Sequence, residues 1–500
     1  MRTTLTFAIL LGAGTSMGQT PSHPFPVHSV YAASTIKPNN YSQAQLDDET
    51  ASFYDAWKAV FLKNDCVDPD QYYVLRGDGA LTVSEGIGYG MMITAYMAGH
   101  DANARAYFDG LYKWYDAHPS ILTPQLMDWQ QVTCMDLPND SDNAASDGDI
   151  DIAFALLLAH AQWGSGGTID YLSEVQAMIA AIMQAEVHPA TLTVMLGDWC
   201  DQDDPLHYNS TRTSDFIMDH FKLFACVAND PAWNTVVDNC YTLMEEMRTD
   251  YSPSTGLMPD FIINVDGIPE PSGPDFLEDP NDGAYFYNAC RVPWRVGVDL
   301  LINGDERART TVTAINTWLI AETSGDVSAI ANGYTLGGTP IEEELDAAFL
   351  GPFTVGAMAD PGHQSWLNEL YAELLTNNDV SDTAYFANTL KLLSMIAISG
   401  NYWVPTCDGT GIDDAPAESE GSVTLSALAN GTVVIDVEQE GWKSDELRFA
   451  LTDLQGRTVA TTVIDHDRQL VSVTSLAAGS YCATVQRGIH TLAARRIIKQ

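Results

Sequence analysis

Basic residues are scarce in this sequence: 23 Lys and Arg stand against 67 Asp and Glu, a formal net charge of -44 over 500 residues. A surplus of that size repels phosphate backbones and anionic lipid headgroups, which argues against nucleic acid or a negatively charged membrane surface as a partner. The eight cysteines include no C-x-x-C pair, so zinc-ribbon and dithiol redox readings are weak. Beyond the N-terminal segment nothing approaches the ~18 consecutive apolar residues of a membrane helix, and no membrane span is expected. The acidic run that starts at Asp147 has Ile152 and Leu158 at its sixth and twelfth positions, where a hand-type calcium loop needs Gly and Glu. Spacing therefore compels no metal, and no cofactor is expected.

What is present is a globular chain, 46% hydrophobic, with enough apolar material for one large domain and a smaller one. Arg2, the apolar run Leu5 to Leu11 and the small residues from Ser16 to Gly18 read as a secretory signal peptide over 1–19. A mature protein exported through the periplasm, secreted or held at the cell surface, follows. That compartment permits disulfides, but spacing does not say which cysteines pair. From about Asp47 to Gly400 apolar residues recur three and four apart in about twelve stretches, which suits a mainly α toroid of paired helices over 20–407. Residues 408–421 turn to Asp, Gly, Pro, Ser and Glu, a linker signature. Six short strands with turns between them, from Ser422 to Gln486, then predict a small β-sandwich over 422–500.

Three segments carry candidate chemistry. In Ser84-Glu-Gly-Ile-Gly-Tyr-Gly-Met91 one carboxylate sits among glycines that let backbone approach a ligand. Taken alone, Glu85 reads equally as a first-turn acid complementing a helix dipole. In Ala145-Ser-Asp-Gly-Asp-Ile-Asp151, three acids open an apolar helix that reaches Trp163, and helix capping is the plain alternative. The loop from Phe276 to Arg295 mixes acids with aromatics. Aromatic faces pack on the C–H faces of sugars while carboxylates and Arg bind hydroxyls, although core packing explains any single ring as well.

Together these segments, with Leu126-Met-Asp-Trp-Gln130 and Thr211-Arg-Thr-Ser-Asp-Phe216, resemble glycoside hydrolase family 8, from His23 to Trp403. The resemblance implies an (α/α)6 barrel that cuts a β-1,4-linked polysaccharide with inversion. An inverting hydrolase needs one protonated carboxyl for the leaving oxygen and one ionised carboxylate to activate water. Glu85 matches the proton donor. Asp147 matches the aspartate that holds the attacking water or a ring hydroxyl, with Asp149 as the alternative occupant of that role and a substrate contact. Trp129 and Trp199 are similar to residues that stack on sugars, and Tyr287 and Arg291 to residues flanking the reaction centre. The usual base aspartate is replaced by Asn288. In a branch of the family with Asn there, a glutamate of the preceding loop takes the role, and Glu278 best resembles it, with Asp275, Asp279 and Asp282 as rivals. Asp453-Leu-Gln-Gly-Arg457, Leu476-Ala-Ala-Gly-Ser-Tyr481 and the basic end Arg495 to Lys499 resemble a type IX secretion sorting domain, which implies that machinery as a partner.

The expectation is a monomeric, secreted endo-acting hydrolase of chitosan, cellulose or mixed-linkage β-glucan. The acidic balance tilts slightly toward cationic chitosan. The alternative is a barrel that lost catalysis with the base and only binds glycan at the surface.

Overall fold

In the computed structural model the described residues are 20–77, 79–135 and 142–406, together with Ile464 and the strands of a C-terminal unit. The signal peptide and linker expectations lie outside them. The chain divides into Met1–Cys407 and Asp408–Gln500.

The first unit is helical: α1 (Gln43–Phe61), α2 (Ser84–Tyr96), α3 (Ala104–Ala117), α4 (Ser146–Trp163), α5 (Tyr171–Ala185), the single turn α6 (Pro205–Tyr208), α7 (Met218–Val227), α8 (Ala232–Asp250), α9 (Val292–Asn303), α10 (Glu306–Glu322), α11 (Ala347–Ala357), α12 (Gln364–Thr376) and α13 (Tyr385–Ile398). Local chemistry sets their ends. Ser42 and Gln45 close a reciprocal capping box before α1, Asp305 and Asp346 cap α10 and α11, and Gly304 ends α9 at φ +67°.

Two kinds of helix sort into two rings. α2, α4, α9, α11 and α13 are buried along nearly their whole length, as helices apolar on all sides must be. With α7 they form an inner ring in the order α2, α4, α7, α9, α11, α13, and α13 packs back against α2. The amphipathic α3, α5, α8, α10, α12 and α1 lie outside α2, α4, α7, α9, α11 and α13 respectively. This is the expected (α/α)6 barrel. Its N-terminal segment is laced to the end of the last helix: Val27 donates its amide to Asn401 Oδ1 at 2.8 Å, Ser29 its amide to the Gly400 carbonyl at 2.7 Å, and His23 stacks on Trp403.

Short strand pairs sit at the barrel mouth. Thr82–Val83 pairs with Gln130–Gln131, and Phe261–Ile263 lies between Thr211–Arg212 and Glu270–Pro271. A disulfide joins Cys66 and Cys134, Cys226 is likewise disulfide-bonded, and Cys200, Cys240 and Cys290 are buried free thiols.

The second unit holds a three-stranded antiparallel sheet (422–428, 432–438, 468–472) and a four-stranded one in the order 458–463, 447–453, 479–487, 490–499. The strand His490–Lys499 is one more than expected. Its doublets Ala493-Ala494, Arg495-Arg496 and Ile497-Ile498 hide the period-two alternation that marks a strand, yet it pairs with Gly479–Arg487 from end to end.

Candidate active site

Small residues bring the first carboxyls together. A side chain at Gly148 would come within 2.6 Å of the Ser84 carbonyl carbon and Cβ, and one at Gly88 within 2.8 Å of Asp151 Cβ. Only glycine at these positions lets α2 and α4 cross so closely. The crossing sets Glu85, in the first turn of α2, beside Asp147, in the first turn of α4. Arg291, immediately before α9, and Tyr385, the first residue of α13, complete the convergence of four inner-helix N-termini.

Arg291 is the hub. Its Nη1 donates to Glu85 Oε2 at 2.6 Å and to Asp147 Oδ2 at 2.8 Å, and its Nη2 to Asn288 Oδ1 at 2.8 Å. Tyr385 donates its hydroxyl to the other Glu85 oxygen at 2.9 Å. Asn288 in turn donates Nδ2 to Glu278 Oε2 at 2.9 Å, and Arg212 donates Nη2 to Glu278 Oε1 at 2.8 Å. Glu278, Arg212, Asn288, Arg291, Asp147, Glu85 and Tyr385 thus form one connected chain of polar contacts, and all of them line a cleft of about 810 Å³ that Trp129, Tyr287 and Phe386 also border.

The electrostatics separate the carboxyls. Burial raises the Glu85 carboxyl above its ordinary value and the charges of Asp147 and Asp151 add to this, while Arg291 and Tyr385 oppose it. Burial acts the same way on Asp147, but Arg212, Arg291 and the Gly148 amide outweigh it and hold that carboxyl below the usual range. Two neighbouring carboxyls pushed in opposite directions are able to divide the roles of acid and anion between them. Glu278, whose side chain is 43% exposed, faces the cleft paired with Arg212.

Other expected residues lie elsewhere. Asp149 is fully buried and accepts the Met127 amide at 2.9 Å, so it is not a substrate contact. Two residues along a helix turn the side chain by about 200°, which sends Asp149 into the core as Asp147 faces the cleft. Trp199 packs near His207, with Met195, Leu196 and Cys200, and is not among the described residues lining the cleft. Of the rivals for the base, Asp282 is buried with both oxygens on backbone amides, Asp279 accepts from Asn281, and Asp275 is exposed; none lines the cleft. Asp151 forms a buried pair with Arg295 beneath the site, at 2.5 and 2.8 Å.

Sequence reading did not single out Tyr385, Arg212 or Asp260. Asp260 is buried and accepts the amides of Phe286, Asn288 and Ala289 at 2.9, 3.1 and 2.7 Å. Arg212 lay within a stretch noted for its resemblance, whereas Tyr385 and Asp260 carry no local signal.

Comparison with known proteins matches residues 36–400 to glycosyl hydrolases family 8. A beta-glucanase of Niallia circulans is 42% identical over 383 residues, 77% of this chain and 92% of that protein. An endoglucanase of Bacillus sp. (strain KSM-330) is 37% identical over 394 residues, 77% and 82% of the two chains. The apo structure of a beta-1,3-1,4-glucanase from Paenibacillus sp. X4 superimposes with a TM-score of 0.73 at 41% identity, covering 77% of this chain and 100% of that one.

Proposed function

Because the chain belongs to glycosyl hydrolase family 8, and is therefore a glycoside hydrolase rather than a binding-only barrel, we propose that it is an inverting endo-β-glucanase acting on mixed-linkage β-glucan. The observation that carries the reading is the single hydrogen-bonded chain that faces Glu85, Asp147 and Glu278 into one cleft. Glu85, whose carboxyl burial pushes toward its protonated form, gives its proton to the glycosidic oxygen as the bond to the anomeric carbon breaks. Glu278 takes a proton from the water that attacks that carbon from the opposite face, giving the inverted product. Asp147 remains anionic and holds that water or a ring hydroxyl. Asn288 is an amide and cannot act as the base; its donation to Glu278 orients the group that does. Trp129 and Tyr287 supply flat faces for sugar rings along the cleft.

The choice of β-glucan follows the activities for which the relatives at 41 and 42% identity are named. Reducing-end release from barley β-glucan, carboxymethyl cellulose, chitosan and xylan tests it, for wild type beside Glu85→Gln and Glu278→Gln, with the anomer of the first product read by NMR. Cutting of β-glucan to the α-anomer, lost in both variants, is the expected result. A β-anomer sinks inversion, an active Glu278→Gln sinks the base, and cutting of chitosan alone reassigns the substrate. We also propose export by way of the N-terminal signal and the C-terminal strand unit, with which the Cys66–Cys134 disulfide is consistent. Removal of residues 422–500 should then leave the enzyme inside its own cell envelope.

A further inference from the structure

The loop that carries Glu278 is built around a carboxylate that does no chemistry. Asp282 is fully buried, and its Oδ2 accepts the amides of Leu277 and Glu278 at 2.7 and 3.0 Å while its Oδ1 accepts that of Asp279 at 3.0 Å. Three consecutive N–H groups therefore converge on one side chain, and the middle one belongs to Glu278. The turn is closed a second time by the Asp282 amide on the Asp279 carbonyl at 3.2 Å, and the Asp275 amide reaches the same carbonyl at 3.0 Å.

The root of this loop is fixed to the sheet that carries the other half of the contact. The Asp282 carbonyl accepts the Phe261 amide at 3.0 Å, and Phe261 pairs with Arg212 in the strand register. Arg212 is the cation that meets Glu278 at 2.8 Å. Loop and cation are thus referenced to the same strand, with Asp260, one residue before Phe261, holding the amides of the segment that presents Asn288.

We propose that Asp282 is a positioning residue for the general base: by gathering the amides of residues 277–279 it sets the backbone from which Glu278 reaches Arg212, Asn288 and the attacking water. The proposal rests on the assignment of Glu278 as the base. In Asp282→Asn one acceptor oxygen becomes an amide NH2, a donor that faces backbone donors, so the turn opens while the cleft's sugar-binding faces stay in place. Because a displacement of ~1 Å at a reacting group costs about 100-fold in rate, kcat on barley β-glucan should fall by about that factor with KM little changed.

The decisive measurement is the cycle of Asp282→Asn, Glu278→Gln and their double variant, with hydrogen exchange of a peptide spanning residues 275–283. If Asp282 acts through Glu278, the double variant is no slower than Glu278→Gln alone, and exchange quickens in that peptide while α2 and α4 stay protected. A kcat for Asp282→Asn close to wild type beside a dead Glu278→Gln, or losses that multiply in the double variant, overturns the proposal and leaves the base assignment standing. A fully active Glu278→Gln removes the base assignment itself. Should Asp282→Asn lose its cooperative thermal transition, Asp282→Ser, which keeps a smaller acceptor, carries the same cycle with the same outcomes.

Discussion

Replacing Gly148 by Ala tests whether the crossing of α2 and α4 builds the site. Within a helix the change should help, since Ala is favoured over Gly by up to about 1 kcal/mol. Against this, the new methyl group would sit 2.6 Å from the Ser84 carbonyl carbon and Cβ and closer still to Oγ, about 0.8 Å short of the 3.4 Å at which ordinary contact begins. A rotamer change of Ser84 relieves the hydroxyl but not the backbone carbon, so the helices must part. Overpacking of this kind costs ~1–3 kcal/mol, which outweighs the propensity gain and leaves a net loss of about 1 kcal/mol. Glu85 follows Ser84 directly and rides on the helix that moves, so kcat should fall by about 100-fold. Differential scanning calorimetry and initial rates on barley β-glucan measure both. Gly166→Ala, where a Cβ meets nothing within 4 Å, is the control and should leave both values unchanged. A Gly148→Ala enzyme with wild-type melting and kcat would refute the argument that the close crossing sets the carboxyl geometry.

Tyr385→Phe removes a donor that favours the ionised form of Glu85. A hydrogen bond to a charged group is worth ~1.5–3 kcal/mol and each pH unit about 1.4 kcal/mol, so the alkaline limb of kcat/KM should move upward by about one unit; a limb that stays or moves down contradicts the role of the hydroxyl. Burial pushes Asp260 and Asp215 up to about 7 from 3.8. Between those values the folded protein holds protons that the unfolded chain has released, so their contribution is fully present below the window and declines as pH rises through it. Melting should therefore be higher at pH 5 than at pH 8, and Asp260→Asn should narrow the difference. The Cys66–Cys134 link spans a sequence separation of 68 residues and should contribute about 4 kcal/mol by restricting the unfolded chain; Cys66→Ser with Cys134→Ser should lower melting without changing KM by more than about two-fold.

Much of the barrel was legible because its signal is repeated. Apolar residues at helical spacing mark all twelve long helices, while the division into buried inner helices such as α2 and α4 and amphipathic outer ones such as α3 emerged with the structure. Glycines beside an acid drew attention to Glu85 for a reason that proves to be packing: Gly88, with Gly148 facing it from α4, lets two helices touch. What the residues alone could not give was direction. Asp147 and Asp149 are equivalent as letters, and only the helical turn between them separates cleft from core. Asp282 and Glu278 were rivals for one role until their oxygens could be seen, one set facing amides and the other facing the cleft. Tyr385 stands 300 residues from the carboxyl it touches, a proximity created by ring closure and invisible to any local pattern. The last strand of the C-terminal unit escaped because doublets conceal alternation.

Ring closure has a consequence for the order in which the enzyme comes into being. The Glu85 carboxyl rides on the second helix, α2, and the hydroxyl that donates to it opens the last, α13. A chain made from its N-terminus therefore carries Glu85 for some 300 residues of synthesis before Tyr385 exists to hold it, and longer before Asn401 and Trp403 arrive to lace the two ends. Every nascent species that stops short of Tyr385 carries the Glu85 carboxyl without that hydrogen bond, and one that stops short of Asn401 lacks the contacts that tie the two ends of the barrel together.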